Sequence, residues 1–271
     1  MFLGLDIGTS GVKAVLVDAD QRIVAEATVP LTVQRRHPQW SEQAPESWWH
    51  AVDGAVAALR GDHAGAVAAV RGIGLSGQMH GATLLDAGRQ ILRPAILWND
   101  GRCGPQCAAL EARVLDSRAI TGNLAMPGFT APKLLWVAEH EPEVFKQVDL
   151  VLLPKDYVRL RMTGEAVSEM SDSAGTLWLD VAARDWSDTM LEACGLTRRH
   201  MPRLVEGSQA SGTLTPQVAR AWGMEPGVVV AGGAGDNAAG GVGIGAVSPG
   251  RAFLSLGTSG VYFVSNARYA P

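Results

Sequence analysis

At 271 residues, with 47% hydrophobic and 18% charged side chains, the chain is long enough for one large or two ordinary domains with buried cores, which excludes the disordered class. A net charge of -4 without clustered Lys and Arg leaves no electrostatic footprint for nucleic acid or anionic lipid, so any phosphate must be held locally. The three cysteines, Cys103, Cys107 and Cys194, are an odd number in a chain too large to need stapling and fit a reducing compartment, and Cys103 and Cys107 lack a second ligand pair for a metal.

The first apolar stretch, residues 2–7, contains Asp6 and has neither a basic lead nor a small-residue cleavage site, so it reads as a strand and not as a signal peptide. Gly8-Thr9-Ser10-Gly11 turns it into a second strand, 12–17, and 23–33 continues the sheet as a meander. Pro45, Glu46 and the run 48–59 read as a helix, with Pro where the first-turn amide is unpaired and Ala44 offering no capping oxygen. Residues 70–75 and 82–85 read as strands on either side of Gly77-Gln78-Met79-His80-Gly81, and 95–98 as a third. Helices are predicted over 107–115, 132–140 and 154–162, and a buried strand over 228–231 that enters the turn Gly232-Gly233-Ala234-Gly235 before Asp236. The stretch 227–247 is interrupted by Asp236 and Asn237 and is rich in Gly and Ala, which inserts poorly into a bilayer. A soluble, cytoplasmic protein is expected.

The first turn recurs: Gly8-Thr9-Ser10-Gly11-Val12 is repeated as Gly257-Thr258-Ser259-Gly260-Val261, again between strand-like runs, 252–256 and 261–264. The repeat predicts a duplicated architecture in which residues 1–245 form one α/β lobe and 246–271 the first hairpin of a second. A turn with Gly at both ends can take up positive φ and aim backbone N–H groups at an anion while Thr and Ser add hydroxyls. Either copy alone is also a good hairpin turn; the repetition favours a phosphate clamp made of Gly8, Thr9, Ser10 and Gly11 with Gly257, Thr258 and Ser259. The chain has no Gly-Lys pair, so P-loop chemistry is excluded.

Asp6 at the strand end beside this clamp is the candidate Mg²⁺ ligand, with an Asp satisfied by turn amides as the alternative. Asp236, on a glycine turn that projects into a cleft, is the candidate base that accepts the attacking hydroxyl's proton; an N-cap for a helix from Ala238 onward is compatible with that role. Gly72-x-Gly74-x-x-Gly77 and two looser copies mimic a dinucleotide fingerprint, but the chain returns to strand after Gly77 and the later copies lack a suitable acidic residue. Gln78, Met79 and His80, with Trp98, Asn99, Asp100 and Arg102, supply the donors, acceptors and indole face of a polyol site.

With these residues in place, the chain resembles the FGGY carbohydrate kinases of the actin-like ATPase superfamily. The resemblance is carried in order by Leu5-Asp6-Ile7-Gly8-Thr9-Ser10-Gly11, Trp40-Ser41-Glu42-Gln43, Gly77-Gln78-Met79-His80-Gly81, Leu97-Trp98-Asn99-Asp100, Thr121-Gly122-Asn123, Leu153-Pro154-Lys155-Asp156-Tyr157, Gly235-Asp236-Asn237 and Leu256-Gly257-Thr258-Ser259-Gly260. The Gln-Met-His-Gly loop is similar to that of members acting on D-xylulose, whereas those acting on glycerol have an Arg-Glu pair there. The resemblance implies an actin-like ATPase (ribonuclease H-like) α/β lobe whose mixed central sheet is flanked by helices. It also implies ATP-dependent phosphorylation of D-xylulose at O5, with ATP and Mg²⁺. By motif, Asp236 is the proton acceptor, Met79 and His80 bind sugar, Asp6 belongs to the Mg-ATP side, and Gly257 to Ser259 match the second phosphate loop; Gln78, Trp98, Asp100, Asp236 and Asn237 are the further candidate sugar contacts. Partners are then a sugar and ATP, without nucleic acid or membrane, and a homodimer is admitted.

Two departures from the family pattern stand out. Ala44 replaces the usual Asp before Pro, at a cost of about 1 kcal/mol of helix capping. The chain also ends where the second lobe begins, so weak sugar binding and poor turnover are expected of it alone. A non-catalytic sugar-binding or regulatory module, a kinase for a related ketose or polyol, and an actin-like ATPase with a protein client are the competing readings. An Asp236→Ala variant without effect would favour the module.

Overall fold

The computed structural model describes residues 1–256 and 260–271. Strands β1 (Phe2–Ile7), β2 (Gly11–Val17) and β3 (Ile23–Pro30) form an antiparallel meander. Helix α1 (Pro45–Ala68) crosses to β4 (Gly72–Gly77), which pairs parallel with β1. There follow α2 (Gly104–Arg113), α3 (Thr130–His140), α4 (Pro154–Thr163) and α5 (Met170–Ala174). The chain then returns to the sheet with β5 (Ala210–Thr213), α6 (Pro216–Trp222), β6 (Val229–Ala231) and β7 (Ala234–Gly235), and runs into α7 (Asp236–Gly243). The seven-stranded sheet has the order β5-β6-β4-β1-β2-β3, with β7 also on β4. Strands β8 (Ala252–Leu256) and β9 (Gly260–Val264) pair antiparallel with each other.

Alternation sets which face of the sheet is covered. Leu3, Leu5 and Ile7 of β1 and Val12, Ala14 and Leu16 of β2 are buried, and α1 lays Trp48, Val52, Ala55, Val56 and Leu59 on them at helical spacing. Each fully buried large side chain contributes on the order of 2–3 kcal/mol. A second core gathers Leu84, Ile96, Leu110, Leu134, Val151 and Trp178. The loops of the candidate site are held between the two cores.

The predicted helix over 48–59 runs from Pro45 to Ala68, without a side-chain cap at Ala44 as expected, and past a kink at His63 (φ -131°, ψ 40°). The predicted strand 70–75 starts later, because parallel pairing begins with Gly72 opposite Phe2. The helix predicted over 107–115 starts at Gly104, with Pro105 in its first turn. Helix α7 begins at Asp236 itself with Gly235 at its N-cap, so Asp236 lies in the first turn and does not cap a helix from Ala238.

Candidate active site

Parallel pairing brings three segments to one edge. Asp6 lies opposite Ser76 and Ser76 opposite Ala234; one residue on, Ile7 lies opposite Gly77 and Gly77 opposite Gly235. The Gly8 turn, the Gln78 to His80 loop and Asp236 therefore all leave the carboxyl ends of β1, β4 and β7. That is the edge at which open α/β sheets bind ligands. Two strand spacings, about 10 Å, separate the outer segments.

At the first turn the Gly8 N–H donates to the Gly11 carbonyl at 3.0 Å. Neither glycine has positive φ, contrary to the expectation from sequence. Close backbone approach is what requires them: a Cβ on Gly11 would lie 2.9 Å from the Val29 carbonyl oxygen, and one on Gly8 3.0 Å from that of Gly11. The Thr9 hydroxyl donates to Gln78 Oε1 at 3.0 Å and accepts from Trp98 Nε1 at 2.9 Å. Gln43 links Thr9 O (2.7 Å), Gln78 Nε2 (3.0 Å) and Trp48 Nε1 (2.9 Å). Ser10 is exposed.

Gln78 and Asp100, expected at the sugar, are each 2% exposed. The Gln78 amide supports the first turn. Asp100 accepts from the Arg102 backbone N–H (3.0 Å), Arg102 Nε (2.9 Å) and Nη2 (2.7 Å), and the Ser41 N–H (2.6 Å), which engages both carboxylate oxygens and anchors the loop that presents Trp98. Trp98 itself is 40% exposed, so part of its indole is open.

Met79 and Asn237 are brought together, with His80 and Asp236 next to them along the chain. Met79 fills the space that a Cβ on Gly235 would need, 2.8 Å from its Sδ, and Asn237 Nδ2 lies 4.0 Å from the same sulfur. His80 has φ 67°, and its Nδ1 is 2.8 Å from the Gly175 carbonyl oxygen. A carbonyl only accepts, so Nδ1 carries the proton and Nε2 remains an acceptor. The ring meets Phe129 edge-on at 4.8 Å, and a Cβ on Gly175 would overlap it. Burial, aided by the Lys133 charge, pushes the His80 pKa down to about 4. The imidazole is therefore neutral at ordinary pH.

Asp236 accepts the Asn237 N–H at 2.7 Å, and the Gly235 N–H donates to Ser171 Oγ at 3.1 Å. Asp6 and Asp236 both reach solvent, yet protein atoms crowd them on the cleft floor and raise both pKa values. At Asp236 the negative charge of Asp6 adds to the rise caused by burial. Among the described residues there is no cluster of three or more His, Cys, Asp or Glu fit to hold a metal. Two under-neutralised carboxylates do fit Mg²⁺, which binds through one or two carboxylates together with substrate phosphates. Gly257, Thr258 and Ser259 lie outside the described residues.

Behind the Asp236 turn, fully buried Arg159 donates to the carbonyls of Ala231 and Gly232, each at 2.6 Å. Lys155 beside it meets Asp156 (2.8 Å), Asp172 (3.0 Å) and Glu169 (3.4 Å). Sequence reasoning missed Arg159, Ser171 and Lys133. Lys133 did carry a signal, as the single charge in the apolar run 131–137.

These residues stand at the carboxyl edge of a mixed sheet flanked by helices, and the comparisons specify the family. The chain belongs to the FGGY family of carbohydrate kinases, whose N-terminal domain it matches over residues 1–243. It is 64% identical over 263 residues to the xylulose kinase of Escherichia coli (strain K12), covering 97% of this chain and 54% of that protein. With the xylulose kinase of Bacillus subtilis (strain 168) it shares 45% identity over 261 residues, 96% of this chain and 52% of that protein. The solved xyloylose kinase of Brucella ovis superposes with a TM-score of 0.97 at 56% identity, over 99% of this chain and 55% of the other. Glycerol kinase from Plasmodium falciparum, at 19% identity and a TM-score of 0.86, shares the fold. The chain spans about half the length of the curated relatives it matches.

Proposed function

We propose that this chain supplies the sugar-binding half of a kinase that transfers the γ-phosphoryl group of ATP to O5 of D-xylulose, giving D-xylulose 5-phosphate and ADP. The observation that carries the reading is the strand register that sends the Asp6 turn, the Met79 and His80 loop and Asp236 out of one carboxyl edge of the sheet, where Met79 meets Asn237 and the Gly235 turn. Similarity to xylulose kinases at 64% and 45% identity supports the substrate.

The sugar lies across the Met79 thioether with its carbon skeleton under the open part of the Trp98 indole. His80 Nε2 accepts a hydrogen bond from a sugar hydroxyl. Asp236 accepts the O5 proton as O5 forms its bond to the γ-phosphorus and the bond from that phosphorus to the ADP oxygen breaks. A carboxylate with a raised pKa is the stronger base, which suits this step. Backbone and Ser10 donors of the first turn grip the polyphosphate, and the second Gly-Thr-Ser-Gly is assigned the same role from its sequence alone. Asp6 would hold Mg²⁺ on the nucleotide side, where the ion would supply neutralisation of phosphate charge. We assign residues 1–245 to the sugar lobe and 246–271 to the first hairpin of the nucleotide lobe, consistent with β8 and β9 pairing only with each other among the described strands. Adenine contacts fall to the half of the relatives that has no counterpart here. Three buried free thiols and, among the described residues, no helix long and apolar enough to cross a membrane support a cytoplasmic setting.

Asp236→Asn separates binding from chemistry. D-xylulose affinity should stay within about threefold, while phosphoryl transfer in the two-lobed polypeptide should fall on the order of 10²–10⁴-fold. Transfer at the parental rate would contradict the role of Asp236.

A further inference from the structure

Beneath the sugar loop lies a charged group that the proposed reaction does not use. Lys133 on α3 is 0% exposed, and Ala131, Leu134, Trp136 and Val137 of the same helix are buried around it. A lone ammonium in such surroundings is costly unless it is well hydrogen-bonded. Among the described residues no carboxylate lies in ion-pair contact with it; its Nζ donates instead to the carbonyls of His80 (2.8 Å) and Gly128 (2.6 Å). Thr130 on the same helix adds a second donor to His80 O at 3.1 Å. His80 stands at φ 67°, a region that residues other than glycine occupy only when their surroundings hold them there. Gly128 precedes Phe129, whose ring meets the His80 imidazole. One ammonium therefore ties the loop carrying Met79 and His80 to the segment carrying the aromatic wall of the histidine.

We propose that Lys133 is the positioning residue of the sugar site: by clamping the His80 and Gly128 carbonyls it holds His80 in its left-handed conformation, with Nε2 presented as a hydroxyl acceptor. The identity of the ligand rests on the kinase reading above, whereas the clamp stands on the hydrogen bonds alone. Burial pushes the Lys133 pKa down to about 7, with Cys103, Asp100 and Cys107 favouring the charged form and Arg102 opposing it. His80 lies directly above. The neutral amine keeps N–H donors but loses the charge that strengthens them, so the clamp loosens as pH rises through about 7.

Two readouts test this on the chain. The first, without sugar, follows the His80 ring nitrogens by ¹⁵N NMR against pH in the parent, Lys133→Met and Thr130→Val. The parent ring should show the Nδ1–H tautomer with an inflection near pH 7. Lys133→Met should lack that inflection and titrate closer to the ordinary 6.5 with mixed tautomers, and Thr130→Val should move part of the way. The second is the D-xylulose dissociation constant, expected to rise tenfold or more in Lys133→Met and to increase with pH through 7 only in the parent. A folded Lys133→Met with unchanged His80 signals and unchanged sugar affinity overturns the clamp. Should Lys133→Met fail to fold, a parent His80 ring without an inflection near pH 7 overturns it. A parent that binds no D-xylulose sinks the substrate reading, and the ring nitrogens then decide the clamp alone.

Discussion

At His80 burial and a neighbouring positive charge act in the same direction, and the consequence for stability has a definite sign. The ring titrates at about 4 in the folded chain and near 6.5 when unfolded. As pH falls, the unfolded chain takes up the proton first, so the stability held by the neutral ring is complete above pH 6.5 and is lost between 6.5 and about 4. Allowing for partial exposure, the loss is on the order of 2 kcal/mol. Urea unfolding at pH 7 and pH 4.5 should show this drop in the parent and a smaller one in His80→Asn; equal drops would contradict a neutral His80. The places of Asp6 and Asp236 were legible in sequence because each sits beside a glycine turn, whereas Met79 and His80 were picked out by the family resemblance. The buried settings of Gln78 and Asp100 were not legible. Their partners Gln43 and Ser41 lie tens of residues away, and a sequence does not tell whether a polar side chain faces a ligand or the protein's own lone pairs and donors.

At the scale of elements, glycine acts through space as much as through φ. Gly233 in the Asp236 turn has φ +74°, and a Cβ there would overlap the Leu75 carbonyl oxygen; Gly164 after α4 has φ +78° with nothing within 4 Å. Gly164→Ala should therefore cost about 1 kcal/mol, the conformational penalty alone. Gly233→Ala should cost on the order of 3 kcal/mol or more and displace Asp236, because neither backbone can yield. Denaturant midpoints of the two variants make the comparison, and similar losses would mean that the turn is not confined as described. Long periodic elements such as α1 and β1 were readable from hydrophobic spacing. Strand β5 and helix α6 were not, since four and seven residues carry too little period to stand out. The same limit hid the β4 start, which is set by pairing with β1.

For the whole molecule, the mixed sheet expected from the family resemblance is present, and the sheet order makes physical sense of the motif order. Asp6, Met79 and Asp236 are far apart in sequence but leave the ends of three adjacent parallel strands. A second core supports the loops that face them. The most direct test of this convergence is a crystal structure of the chain soaked with D-xylulose. O5 should lie within about 2.6–3.2 Å of the Asp236 carboxylate, with a second hydroxyl on His80 Nε2. A sugar seated elsewhere, such as the groove lined by Asp53, Arg60 and Trp222, or turned with O1 toward Asp236, would contradict it.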